Sequence, residues 1–199
     1  MCLVGWVAES LDGKAVNTTV SAVFVALVLV ATSAWAAEDK ATEQENSLLT
    51  LVLKRSYPDG GYTVVSPEAR FEVDEIEKTK KHIMLFLDGH GVAVAKLVDR
   101  LFERNKKAVR LSIKSSPKDG YVMDNYFRDG GSWETWPRDH PRAHGFTTVS
   151  LPVYDQEAGL VLVYEGTQTA GLSVGGWVVL YKYEKGELKE LSRARLWVS

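Results

Sequence analysis

From Lys107 onward the chain reads in period two, and the strand pairs that end it restrict the possible folds most severely. The segments "FTTVSLPVYD" and "LVLVYEG" flank the turn residues "QEAG", and "GWVVLYKYE" and "ELKELSRARLWVS" flank Lys185-Gly186. β-Branched and aromatic residues fill the segments, while Gly and polar residues fill the gaps. Consecutive hairpins of this kind predict an antiparallel sheet.

The first half reads differently. In "NSLLTLVLKRSY" the residues Leu48, Leu49, Val52 and Leu53 form one helical stripe, with Asn46 or Ser47 placed to cap it. "YTVVS" then predicts a strand closed by Pro67. Residues 68–82 are densely charged, with acids leading and lysines trailing, the order a helix dipole favours; Ile76, Ile83, Met84 and Leu87 supply a rough apolar face. "VAVAKLVDRLFERN" is a clearer amphipathic helix, with Val94, Leu97, Val98, Leu101 and Phe102 along one side. Val109, Leu111 and Ile113 then alternate with polar residues, and "YVMDNYF" predicts a further strand. Helices first and strands afterwards indicate an α+β fold: N-terminal helices packed on one face of a C-terminal antiparallel sheet of about five to six strands.

Residues 20–37, "VSAVFVALVLVATSAWAA", contain no charge, and their most apolar part has the length of a signal-peptide core. The small residues Ala34 and Ala36 precede the polar "AEDK", so cleavage is predicted after Ala36 or Ala37. The expected organisation is a signal peptide over 1–36, a flexible lead-in over 37–45 and one α+β domain over 46–199. An uncleaved membrane anchor is the alternative, since the run is at the lower limit for spanning a bilayer. Residues 1–19 hold only Lys14 against Glu9 and Asp12, whereas a signal peptide opens with basic residues. A start at Val16 or Val20 would remove that discrepancy. Cleavage would also remove Cys2, the one cysteine, leaving a cysteine-free domain with neither disulfide nor thiol chemistry. The formal net charge of −2 gives no basic surplus for nucleic acid.

Motifs for chemistry are weighed against their context. "GLSVG" at 171–175 fits the G-x-S-x-G nucleophile elbow, but a strand pattern follows it, with no histidine after His144 and no aspartate after Asp155. His140 and His144 have helical i, i+4 spacing, yet Pro141 separates them, so zincin geometry is not expected. Asp124, Asp129, Glu134 and Asp139 lie near one another in sequence and could supply a pair of catalytic carboxylates. There is no Walker lysine and no dinucleotide-binding glycine pattern. No catalytic residue, metal ligand or cofactor is therefore assigned. The best binding-surface candidate is the stretch "FRDGGSWETWPRDHPRAHG", through Trp133, Trp136, Arg138, Asp139, His140 and Arg142.

A wider pattern joins Trp133, Pro141, Gly145, Ser150, Leu162, Val163, Tyr164, Gly171, Gly175, Gly186, Trp197 and Ser199. It resembles an uncharacterised group of exported bacterial α+β proteins, in which a Trp-containing short helix ends in Pro-x-x-x-Gly before two strand pairs and a terminal Trp-Val/Ile-Ser. The resemblance spans about residues 131–199 and implies an exported α+β domain without assigning an activity. Pro137 departs from the pattern and implies that the short helix is a single turn. The expected function is an exported, non-catalytic domain that binds a small ligand or a protein at the cell envelope, touching the membrane only if the signal segment stays uncleaved. A carboxylate-based hydrolase of carbohydrate or peptide is the alternative. A third expectation is a stress- or immunity-type partner protein, marked by an exposed apolar patch.

Overall fold

The computed structural model describes residues 40–199 apart from Glu72, Asp88, His90, residues 170–172 and Ser199; the side chains of Ser173 and Val174 are also outside the description. The expectations for the signal segment, Cys2, His90, Gly171 and Ser199 lie outside the described residues.

Helix α1 (Glu43–Leu53) begins five residues before its apolar stripe, which opens at Leu48. Thr42 caps it: the Glu45 amide donates to Thr42 Oγ1 at 3.1 Å, and the Thr42 amide donates to Glu45 Oε2 at 2.7 Å. This reciprocal box satisfies two amides that the first turn leaves unbonded. Glu45 also receives Arg104 Nε at 2.7 Å, so residues 40–45, the described part of the expected lead-in, are tied into the domain. Leu48, Leu49, Val52 and Leu53 are buried, as their spacing predicts.

Strand β1 (Tyr62–Val65) follows, and then β2 (Glu68–Ala69), which pairs antiparallel with β3 (Val109–Arg110). The charged stretch from residue 68 is thus extended at first, because Ala69 and Phe71 are drawn into the core. Helix α2 starts only at Ile76 and ends at Phe86, and Ile76 itself is exposed. Helix α3 (Val92–Arg104) buries Val94, Leu97, Val98, Leu101 and Phe102, the five residues of its predicted face.

The remaining strands are β4 (Tyr121–Met123), β5 (Ala143–Val149), β6 (Val153–Asp155), β7 (Leu160–Thr169), β8 (Ser173–Glu184) and β9 (Glu187–Val198). A single turn of helix, α4 (Trp136–Asp139), precedes β5. The α+β class is the observed one, and β5, β7, β8 and β9 form the antiparallel run that the hairpin pattern predicts. The sheet is larger than that run. It has 7 strands in the order β4-β1-β5-β7-β8-β9, with β6 also on β7. β1 lies parallel to both β4 and β5, making the sheet mixed.

The helices divide between both faces of the sheet rather than gathering on one. α2 and α3 pack with Leu162, Tyr164, Leu180 and Ala194. α1 packs with Val65, Val149, Val163 and Tyr181 on the other side. Neighbouring residues of β7 therefore serve opposite cores, and a strand covered on both faces reads as a continuous apolar run such as "LVLVY". No helix among the described residues is long and apolar enough to cross a membrane.

β5 and β6 lie along one edge of β7 and are separated by 150–152. Pro152 has no amide to donate, so side chains bridge the gap. Ser150 Oγ accepts the Tyr164 amide at 2.9 Å. The buried Asn105 side chain accepts the Leu151 amide at 2.6 Å and donates to the Leu151 and Leu101 carbonyls at 3.1 and 2.9 Å.

Candidate functional site: a polar groove on the α1 face

On the α1 side, three adjacent strands carry polar residues where a sheet covered by a helix normally presents apolar ones. β7 contributes Glu165 and Thr167, β8 contributes Trp177 and Tyr181, and β9 contributes Glu190 and Arg193. The register makes these residues neighbours: Glu165 faces Trp177, Val179 faces Arg193, and Tyr181 faces Glu190. Together with Lys54 and Arg55 at the exit of α1 they line a groove of about 490 Å³.

Glu165 is only 7% exposed. A buried carboxylate is tolerated only with charge compensation and full hydrogen bonding. Both are present: Arg55 Nη2 pairs with Oε2, and the Tyr181 hydroxyl donates to Oε1 at 2.9 Å. Burial, and then the Glu165 charge beside it, push the Tyr181 phenol well above the ordinary tyrosine range, so it stays a donor at neutral pH. Arg55 is placed by its backbone, whose amide donates to the Asp119 carbonyl at 2.9 Å. The adjoining Gly120 has φ +84°, and a Cβ there would overlap the Arg55 carbonyl. Only glycine permits this crossing of α1's exit over the start of β4.

The groove's rim carries a second charge pair. Arg193 Nε donates to Glu190 Oε1 at 2.6 Å, and this contact holds the Glu190 carboxyl below its usual range. Its floor continues sideways as a row of hydroxyls across three strands. Thr63 Oγ1 lies 3.0 Å from Thr147 Oγ1, which lies 3.2 Å from Thr167 Oγ1.

Trp177 lies flat on the sheet. A Cβ on Gly175 would come within 2.8 Å of Trp177 Cζ2, so the glycine leaves the indole room to cover the backbone. On the opposite face Gly176 does the same for Trp197, where a Cβ would come within 2.7 Å of Cε2. This gives Gly175, the last residue of "GLSVG", and its neighbour Gly176 a packing role, and the backbone from Ser173 onward is strand rather than the helix of a nucleophile elbow.

Trp136 and His140 are buried, at 3% and 8% exposure; Trp133 is half-buried; Arg138, Asp139 and Arg142 are exposed. Trp136 sits in an aromatic corner, parallel to Phe127 at 5.5 Å and edge-on to Tyr126 at 5.2 Å. Trp133 packs against both Phe127 and Trp136, at 4.6 and 5.0 Å. Pro137 is accommodated because it falls in the first turn of α4, where an amide is dispensable. His140 Nε2 lies 3.6 Å from Asp124 Oδ2, while His144 stacks on Tyr57 at 4.2 Å and bonds Asp59 at 3.0 Å, so the two histidines serve different neighbours.

Of the four carboxylates, Asp124 sits beside His140, and Asp139 is engaged by Arg138 at 2.8 Å and by the Tyr126 hydroxyl at 3.1 Å. The Arg138 contact and the Tyr126 hydrogen bond outweigh desolvation and hold the Asp139 carboxyl below its usual range. Asp129 and Glu134 are exposed in turns. None of the four lines the groove. A broader depression of about 750 Å³ lies between α1 and residues 112–121, and none of the four lines it either. No group of three or more potential metal-binding side chains occurs among the described residues.

The groove residues were not reached from the sequence, although one signal pointed to them. Glu165 interrupts the apolar run of "LVLVYEG", and a charge inside a strand covered on both faces requires a partner. Comparison of the chain with protein-family models, with curated protein sequences and with solved structures finds no match.

Proposed function

We propose that this chain is an exported, non-catalytic domain that binds a small polar ligand at the cell envelope through the groove on its α1 face. The observation that carries this reading is the buried Glu165 held by Arg55 and Tyr181 beneath an open groove that also holds Trp177, Glu190 and Arg193. Ligand sites combine a pre-formed concavity with a few fixed polar groups of this kind. Both oxygens of Glu165 are engaged, which suits holding a ligand better than exchanging protons with one. Export is supported by the apolar run and the "AWA" site near Ala36, and by the resemblance of residues 131–199 to exported bacterial proteins.

The test has two parts. Full-length chain with a C-terminal tag, made in a bacterial host, is fractionated and its mature N-terminus sequenced; recovery outside the cytoplasm beginning at Ala37 is expected, and retention of residues 1–36 in the membrane fraction would favour the anchored form. The released domain is then screened by NMR against polar metabolites and envelope extracts. Shifts at Arg55, Glu165, Trp177 and Arg193 are expected, and shifts confined to other surfaces would overturn the reading.

A partner-protein role has one observation in its favour. Leu85, Phe86 and Val92, at the turn between α2 and α3, are 76%, 53% and 77% exposed. Singly exposed apolar residues are ordinary, but three around one turn suit protein contact.

A further inference from the structure

We propose, building on the binding reading above, that the groove takes a saccharide bearing a carboxylate, with one sugar ring stacked on Trp177. One face of Trp177 covers the backbone at Gly175, and the residue remains half-buried on the groove side. A flat aromatic fixed on a rigid strand offers a preformed platform that needs little ordering on binding.

The groups around this platform match hydroxyls. Sugar hydroxyls both donate and accept, so a site for them needs both kinds of partner within one patch. Glu165 and Glu190 accept, Arg55 and Arg193 donate, and Thr167 and Tyr181 carry hydroxyls of their own. Glu165 lies directly across from Trp177 on the neighbouring strand, within reach of a ring stacked there.

The charge balance selects an acidic sugar. Lys54, Arg55 and Arg193 line the groove against only Glu165 and Glu190. Each carboxylate already has an arginine, whereas the Lys54 ammonium has no ion-pair partner among the described residues. A carboxylate on the ligand would complete the set.

The test titrates the isolated full chain with trigalacturonic acid, with maltotriose as the neutral sugar and with tri-glutamate as the acidic peptide, following by NMR the backbone amides of Arg55, Glu165 and Arg193 and, where it is present, the Trp177 indole N–H. Trigalacturonic acid is expected to shift these resonances saturably and to bind at least tenfold more tightly than maltotriose. Lys54→Ala should bring the two sugars to within about threefold of each other. Gly175→Ala, which must tilt the indole, should weaken trigalacturonic acid at least tenfold; Trp177→Leu provides the same test if that variant folds poorly. Binding of tri-glutamate but of neither sugar in the groove would overturn the saccharide inference and leave the binding reading standing. Sugar binding that ignores Gly175→Ala and Trp177→Leu would remove the stacking. If neither the probes nor envelope extracts perturb the groove, both readings fall.

Discussion

Glu165 is the one carboxylate buried among the described residues, and its two partners come from opposite directions in the chain. Arg55 arrives from the end of α1 and Tyr181 from the next strand. Removing one partner leaves a desolvated oxygen unpaired, which costs about 1–3 kcal/mol. Tyr181→Phe is therefore expected to lower the unfolding free energy by roughly that amount in urea titration. The same residue predicts an alkaline effect. Tyr121, Tyr164 and Tyr181 all have phenols raised above the unfolded value, in each case chiefly by burial. The folded state thus keeps its phenolic protons longer than the unfolded state does. This stability is complete below about pH 10, the unfolded tyrosine value, and is lost as pH rises through the higher folded values. Urea midpoints measured between pH 8 and pH 12 should fall on the alkaline side, less steeply in Tyr181→Phe. Sequence reading located clusters of chemically rich residues, and "FRDGGSWETWPRDHPRAHG" was the richest. Its aromatics turned inward because Trp136, Phe127 and Tyr126 bury more surface on one another than they would against water. The groove was missed because its members are spread from Leu51 to Arg193 and meet only in the folded chain.

At the scale of elements, the apolar spacing of α1 and α3 was readable because helical periodicity repeats within a few residues. The caps and breaks were less so, since they depend on distant partners. Asn105 ends α3, yet its side chain completes the interrupted strand at Leu151. Asn105→Ala should expose this: the Leu151 amide would lose its acceptor in a dry site, at a cost of roughly 2–3 kcal/mol. Amide exchange at Leu151 should accelerate in that variant, while exchange in the β8–β9 hairpin should stay close to that of the parent. If Leu151 stays equally protected, the side-chain bridge is not what holds the gap. The charged stretch before α2 shows the opposite difficulty. Its composition suited a helix throughout, but Ala69 pairs with Val109, and tertiary pairing overrode local preference for residues 68–71.

For the whole molecule, the strand hairpins and the helix-then-strand order made the α+β class legible. The mixed sheet was hidden, because β1 is 4 residues long and pairs with segments far along the chain. Among the described residues, two apolar clusters within 40–199 sandwich the sheet. A chain beginning at Ala37 is thus expected to unfold cooperatively, with a thermal midpoint within a few degrees of the full chain; loss of a cooperative transition would show that residues 1–36 belong to the folded unit. The parallel insertion of β1 between β4 and β5 also bears on how the molecule is made. β7, β8 and β9 are close in sequence and can pair soon after they are synthesised. β1 pairs with Tyr121 and with Ala143, so it stays unpaired until those later segments exist. Loop closure over such separations slows folding and leaves strand edges exposed while it proceeds. β1 is thereby left without its strand partners for as long as they are unmade, a state in which that part of the chain is both vulnerable to aggregation and still able to be threaded through a narrow passage.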